Sequence, residues 1–190
     1  MAIAALPGYG PPAMAAKKPG KGTGAPSPTA ALQLLELYYP IHYQAGIGVE
    51  DALRGADLSR HQVAILWLLH SQGEDGVRMN RKAIVLALEN WFEISNAAIT
   101  KAIRGMAKSP LGLVALREDP LSGREQVVSL TPKGEQHLAA MIERGTAYVQ
   151  WIVDQMEERR VVEGIAFFEN IRDIVRSQPA PRLSLRSNRR

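Results

Sequence analysis

The sequence contains no cysteine among its 190 residues. Without thiols the chain cannot form a disulfide bond, a zinc site with thiolate ligands or a catalytic cysteine. Long apolar runs are also missing, and no stretch approaches the roughly 20 apolar residues that a membrane-spanning helix needs. Prolines and glycines between residues 7 and 12 interrupt the apolar start of the chain, which therefore makes a poor signal peptide. We expect a cytoplasmic protein with no membrane partner.

The sequence also lacks the arrangements that carry catalysis or hold a metal or a cofactor. It has no Gly-rich phosphate-binding loop, no HExxH pair and no serine in a nucleophile-elbow context. The four histidines, at positions 42, 61, 70 and 137, are widely separated and have no metal-ligand spacing. We therefore predict neither an enzyme nor a metal or cofactor site.

Acidic residues are absent from both ends of the chain. Residues 1–29 carry three lysines and residues 176–190 carry five arginines, with no acid in either segment. Residues 30–175 contain 15 basic and 19 acidic residues, yet residues 76–133 within them contain nine basic and five acidic ones. A basic segment inside an acidic body is the charge pattern of a nucleic-acid-binding surface. The alternative is the chance drift of a few charges.

A short helix is predicted to begin near residue 95. Ser95 is a suitable N-cap, because its hydroxyl can accept a hydrogen bond from an otherwise unpaired amide of the first turn. Ile99, Ile103 and Met106 recur at helical spacing and form one apolar stripe. The positions off this stripe are small, hydrogen-bonding or cationic and include no carboxylate: Asn96, Ala97, Thr100, Lys101 and Arg104.

A β-hairpin is predicted to follow this helix. Residues 113–116 and 126–130 have the composition of short strands, and the turn between them contains Pro, Ser, Gly and Arg124. A polar, partly cationic helix fits the major groove of duplex DNA, and an arginine at a hairpin tip can enter the neighbouring minor groove. The pattern therefore predicts a winged helix-turn-helix that binds double-stranded DNA.

Residues Leu58 to Leu138 resemble the MarR family of bacterial transcriptional regulators. The resemblance lies in Leu58-Ser59 with Gln62 at a helix start, IS..AITK..R.M in the predicted recognition helix, GLV before the hairpin and VSLTPKG after it. By motif it covers less than half of the chain, and by order of elements nearly all of it from Ala30 onward. The VSLTPKG motif is fairly specific, whereas the recognition-helix pattern alone is weak.

The resemblance implies a mainly α-helical fold with a small β-hairpin wing, in which a winged helix-turn-helix is flanked by N- and C-terminal dimerisation helices. Two subunits would present recognition helices about one turn of DNA apart, roughly 34 Å. The alternative is that the apolar faces of the terminal helices close a monomeric core. The implied regions are a disordered basic arm (1–26), an N-terminal dimerisation region (27–57), a DNA-binding domain (58–131), C-terminal dimerisation helices (132–177) and a basic tail (178–190).

The function implied by the resemblance is that of a nucleoid-associated regulator, with repression expected, which binds a pseudo-palindromic operator as a homodimer. The implied DNA contacts are Ser95 and Arg104 to phosphates, Asn96, Ala97, Thr100 and Lys101 to base edges, and Arg124 to the minor groove.

Two positions depart from the family pattern. Glu89 stands where a small residue usually faces the recognition helix, so either the register is shifted by two residues or the junction beside Trp91-Phe92 is bulky. Ser122 stands where an aspartate usually orients the wing arginine, and Asp119 is the alternative partner for that arginine.

A small-molecule effector site is a further implication of the resemblance. Members of the family often hold aromatic or phenolic molecules between the dimerisation helices and the DNA-binding lobe. Aromatic side chains at helical spacing more often belong to a core, so no particular ligand is expected. The candidate lining residues are Tyr38, His42, Tyr43, Trp67 and His70.

Further helices are predicted around this unit. Pro28 begins one that Pro40 should kink or break, and Ser59, Asn80 and Thr131 are the expected caps of three others. The helix after Ser59 is expected to turn Val63, Leu66, Trp67, Leu69 and His70 inward. The predicted ranges of the later helices are 81–90, 132 to about 158, and 161–175, and a short strand is predicted at 77–79.

Two other functions stay open at the level of sequence. The departures at Glu89 and Ser122, with the acidic surroundings, favour a winged helix that has become a protein-binding or assembly module. Alternatively, the basic arm and tail bind DNA without sequence preference.

Overall fold

The computed structural model describes residues 28–119, 122 and 125–177. The predicted basic arm (1–26) and tail (178–190) lie outside the described residues. The chain divides into two units, residues 1–39 and 40–190. No described helix is long and apolar enough to cross a bilayer. The elements are α1 (Pro28–Ile41), a π-helical turn (His42–Gly46), α2 (Ile47–Arg54), α3 (Arg60–Gln72), β1 (Arg78–Asn80), α4 (Arg81–Trp91), α5 (Asn96–Ala107), β2 (Val114–Glu118), β3 (Gln126–Leu130), α6 (Pro132–Val153) and α7 (Glu158–Ser177).

The regular helix α1 ends one residue after Pro40, near the point that the sequence predicts. α1 runs through this proline to Ile41, and the chain then adopts a π-helical turn before it resumes as α2. A proline inside a helix has no amide to donate and its ring crowds the preceding turn, which accounts for the change of helical type.

Four of the predicted helix caps have the expected geometry. The Ser59 hydroxyl accepts from the Gln62 amide, and the Gln62 side chain accepts from the Ser59 amide, which is a complete capping box at the start of α3. Asn80 accepts from the Lys82 amide, Ser95 from the Ala98 amide and Thr131 from the Gly134 amide. These bonds satisfy amides of the first helical turn, so α3 to α6 begin where the sequence predicts.

The core of the second unit is built from α3, α4, α5, the sheet and the first half of α6. The predicted stripe of α5 is confirmed, because Ile99, Ile103 and Met106 are each 1% exposed or less. The prediction for α3 is partly wrong. Val63, Leu66 and Leu69 are buried, but Trp67 is 40% exposed and His70 is exposed. The fully buried side chains of α3 are Ile65, Leu66, Leu68 and Leu69.

The wing belongs to a three-stranded antiparallel sheet in the order β1-β3-β2. β3 has the predicted bounds, β2 begins one residue later than predicted and continues to Glu118, and β1 begins at Arg78 rather than at residue 77. Asn80 of β1 lies opposite Val127 of β3. The start of α4 therefore lies beside the end of β3 that adjoins the wing turn.

The VSLTPKG motif makes three close contacts with the loop that follows α5. The Thr131 hydroxyl donates to the Gly112 carbonyl (2.8 Å), and Lys133 Nζ donates to the Pro110 carbonyl (2.6 Å). Gly134 is buried with its Cα against the Leu113 carbonyl, where a side chain would collide with backbone. The motif thereby fastens the loop after α5 to the start of α6.

The C-terminal helices differ from the predicted bounds. α6 ends at Val153 rather than near residue 158, because the amides of Gln155 and Met156 donate to carbonyls three residues earlier and tighten the chain into a turn. α7 then begins at Glu158, three residues before the prediction, and continues to Ser177.

Candidate nucleic-acid interface

The outer side of α5 presents a cationic surface. The buried stripe fixes the rotation of the helix, so the predicted contact residues turn away from the core. Ser95, Asn96, Ala97, Lys101 and Arg104 are exposed, and Thr100 is half-buried. Six of the seven predicted residues thus share one helix start and face, and Arg124 lies outside the described residues.

A surface concavity runs along this side of the helix. Three of its lining residues are cations and none is a carboxylate, so its charge suits a phosphate backbone. Gly105 and Lys108 are additions to the predicted set, and Lys108 was detectable because it follows Lys101 at seven residues, which is two helical turns. The lining residues are Ala97, Thr100, Lys101, Arg104, Gly105 and Lys108.

A hydrogen-bonded chain crosses from α4 to α5. Arg81 Nη1 donates to Thr100 Oγ1 (3.1 Å), and Thr100 Oγ1 donates to Asn96 Oδ1 (3.1 Å). Sequence reasoning missed Arg81, because 19 residues separate it from Thr100 and only the packing of α4 on α5 brings the two together.

A second polar cluster joins α4 to the wing. Glu125 accepts from Lys82 Nζ (2.6 Å) and from Asn80 Nδ2 (2.7 Å). These hydrogen bonds, the one from Lys82 first, hold the pKa of the Glu125 carboxyl below its usual value. The Ser122 hydroxyl accepts from the Glu125 amide (3.0 Å) and so closes the wing turn. The carboxylate beside the wing tip is thereby paired with a cation of α4.

The wing stem is more acidic than α5. Glu118 is exposed and Asp119 is half-buried, and the Asp119 amide donates to the Glu125 carbonyl across the hairpin (2.8 Å). Arg117 is the cation of this stem, so the described residues of the wing carry more acidic than basic side chains, in contrast to α5.

At the junction between α4 and α5, the side chain of Glu89 does not enter the core. Glu89 is exposed, whereas Ala87, two residues earlier, packs against the core. Phe92 also packs against the core and lies edge-on to His61 with ring centroids 5.5 Å apart, while Trp91 is 46% exposed. A small residue thus lies on the inner side of α4 after all.

The candidate effector residues fall into separate groups. His42 and Tyr43 form an edge-on pair in the π-helical turn (4.9 Å between centroids), and Trp67 and His70 form a tilted pair on α3 (5.7 Å). Trp67 lines a mainly apolar concavity with residues of α2 and α6, among them Leu53 and Ile142. Tyr38 belongs to the first unit and is 62% exposed.

Among residues 28–119 and 125–177, no group of three or more His, Asp or Glu side chains is placed to hold a metal ion.

The order of elements defines the class of protein. α4 and α5 form a helix-turn-helix, and the β2–β3 hairpin that follows is the wing of a winged helix-turn-helix. Comparison with solved structures then identifies the fold as the one found in MarR-family transcriptional regulators, as the sequence motifs predict. No protein-family model matches the sequence, and comparison with curated proteins gives no match either.

Three of the similar structures illustrate the likeness. AbsC, a MarR family transcriptional regulator from Streptomyces coelicolor, is 18% identical, with a TM-score of 0.59 over 82% of this chain and 100% of that chain. MepR, which regulates the Staphylococcus aureus multidrug efflux pump MepA, is 17% identical (TM-score 0.56, 74% and 97%). BpsR from Bordetella bronchiseptica, whose DNA binding is regulated by 6-hydroxynicotinic acid, is 20% identical (TM-score 0.54, 73% and 98%).

Proposed function

We propose that this protein is a transcriptional regulator that binds a pseudo-palindromic DNA operator as a homodimer, with α5 in the major groove. The observation that carries the proposal is the outer side of α5, which combines three cations with hydrogen-bonding side chains and contains no carboxylate. Ser95 and Arg104 contact phosphates, and Asn96, Ala97, Thr100 and Lys101 lie at base edges. Because a protein bound at a promoter can block RNA polymerase, we propose that the regulator is a repressor. Its proposed location is the cytoplasm, in association with the nucleoid.

The dimer is supported by apolar side chains on the terminal helices. α1, in the first unit, exposes Leu32, Leu35 and Leu37 by more than half. α7 exposes large apolar side chains along its length and buries none of its residues. Contiguous apolar surface of this kind marks a protein interface. We assign dimerisation to residues 27–57 and 132–177, and DNA binding to 58–131. The exposed apolar residues of α7 are Val162, Ile165, Phe167, Phe168, Ile171, Ile174 and Val175.

The wing and an effector site complete the proposal. Arg124, as in the sequence-based prediction, enters the minor groove beside the half-site. A small aromatic molecule binds near Trp67 and His70, with His42 and Tyr43 as the other candidate contacts. This part is supported by the exposure of Trp67 and by the fold shared with BpsR, whose DNA binding a small aromatic acid regulates.

The test is selection of bound sites from random duplex DNA, followed by titration of the selected site across a salt series. We expect a two-fold symmetric motif with half-sites about 10 base pairs apart. The affinity should fall with a log–log slope of about −0.9 for each phosphate that the protein neutralises. An asymmetric or absent motif, or binding that salt leaves unchanged, contradicts the proposal.

Substitutions in the 190-residue chain distinguish binding through α5 from non-specific binding by the basic arm and tail. Replacing Lys17, Lys18 and Lys21 and the arginines of 178–190 by glutamine should leave the selected motif unchanged. Loss of all duplex binding in this variant would favour non-specific binding by the tails. Absence of duplex binding by the unaltered chain would favour a protein-binding module.

A further inference from the structure

The side chain of Asn96 is held in one orientation on the surface of α5. Its Oδ1 atom accepts the hydroxyl proton of Thr100, one helical turn further along, and that hydroxyl accepts in turn from Arg81. Because the guanidinium cation supplies a donor to Thr100 Oγ1, the single proton of the hydroxyl is left to donate to Asn96. A flipped amide would place two donors against the hydroxyl oxygen and lose the hydrogen bond from Thr100 to Asn96.

The orientation leaves a defined set of hydrogen-bonding groups facing outward. Asn96 is exposed, and no described protein group accepts a hydrogen bond from its Nδ2 atom. Its Oδ1 atom keeps one lone pair, since a carbonyl oxygen has two. One donor beside one acceptor matches the major-groove edge of adenine, which offers N7 as acceptor and the N6 amino group as donor. Thr100, by contrast, has no proton to donate to DNA while this arrangement lasts.

The position of Asn96 along the helix supports the same role. It is the first residue of α5, directly after the Ser95 cap. In helix-turn-helix proteins the N-terminal residues of the second helix are those that reach base edges. Arg104, about two turns later, carries charge and is suited to a phosphate.

We propose that Asn96 is the specificity-determining residue of this surface, that it reads adenine, and that Thr100 and Arg81 are positioning residues that orient its amide. The proposal rests on the DNA-binding function proposed above and deepens it. It changes the role of Thr100 from a direct base contact to a support, and adds Arg81, which the sequence did not suggest.

The experiment measures base-pair discrimination rather than affinity alone. Dissociation constants are compared for the selected site, for every single base-pair substitution in one half-site, and for random duplex. Asn96→Ala should lower discrimination about tenfold at one A·T pair, within the range for a bidentate contact. Thr100→Val and Arg81→Lys should lower discrimination at that same pair. Neither removes a charge, so binding to random duplex should stay within about twofold.

A further variant separates orientation from folding. Thr100→Ser keeps the hydroxyl and should retain discrimination. The inference is overturned if Thr100→Val keeps full discrimination at the pair that Asn96→Ala relaxes, or if these variants relax all pairs equally. Those outcomes leave DNA binding intact, whereas a wild-type chain that does not bind duplex refutes both proposals.

Discussion

Lys101 and Arg104 are exposed cations three residues apart on α5, and neither has an ion-pair partner among the described residues. We predict that Lys101→Ala or Arg104→Ala weakens duplex binding and lowers the log–log salt slope by about 0.9, because each variant removes one cation from the surface that faces the phosphate charge. Titration of labelled duplex at several salt concentrations measures the slope. Glu143→Gln, at an exposed position of α6, should leave it unchanged. Equal salt slopes in all three variants would contradict the proposed contact between α5 and DNA.

Glu125 is the residue whose ionisation the wing contacts depend on. Its folded-state pKa is lowered, mainly by the hydrogen bond from Lys82 and then by that from Asn80, so the contacts are complete above the ordinary carboxyl pKa. They are lost as the pH falls through the lowered pKa. We predict that the Glu125 carboxyl, followed by NMR, titrates below the ordinary range of a glutamate side chain. Titration within or above that range would contradict the proposed effect of the Lys82 and Asn80 hydrogen bonds.

The helices of this protein owe their ends to local signals and their relative placement to close contacts between elements. The capping box at Ser59 lies within four residues of sequence, whereas Gly134 allows the start of α6 to meet the backbone at Leu113, some 20 residues earlier. This accounts physically for the glycine of the VSLTPKG motif.

We predict that Gly134→Ala destabilises the fold by about 1–3 kcal/mol, the usual cost of forcing atoms into a packed site. Gly105→Ala is the matched control, because a Cβ there meets Gln62 only at ordinary contact distance (3.5 Å). That substitution should stabilise by roughly 0.5–1 kcal/mol, since alanine is the better helix former. Urea unfolding measures both, and equal effects of the two substitutions would mean that Leu113 does not constrain Gly134.

At the scale of the whole molecule, the proposed dimer is supported by the apolar side chains of α7, none of which is buried within the single chain. Phe168 is 66% exposed in the single chain, so a polar replacement should cost little in the fold of one subunit. We predict that Phe168→Asp shifts the protein from dimer to monomer and weakens binding to a two-fold symmetric site, because one subunit then binds only one half-site. Sedimentation equilibrium and duplex titration measure the two effects.

Leu86→Asp provides the control for this prediction. Leu86 is 65% exposed on α4, away from the terminal helices in sequence, and its replacement should leave the mass in solution unchanged. A dimer that survives Phe168→Asp, or one that Leu86→Asp disrupts equally, would argue against α7 as the interface.

The sequence by itself determined the local features of this protein. The apolar stripe of α5, the four caps and the break near Pro40 all depend on spacing and contacts within a few turns of chain, so residue type and periodicity were sufficient. The motifs also predicted the winged helix-turn-helix, which the solved structures with this fold confirm.

Only the tertiary structure decided which distant side chains meet. Arg81 reaches Thr100 across 19 residues, and Lys82 and Asn80 reach Glu125 across more than 40, because α4 packs on α5 and β1 pairs with β3. Packing between elements also decides that Trp67 and His70 are exposed and that Ala87 lies against the core. Side chains at helical spacing mark two faces of a helix, but the neighbouring elements decide how much of each face is covered.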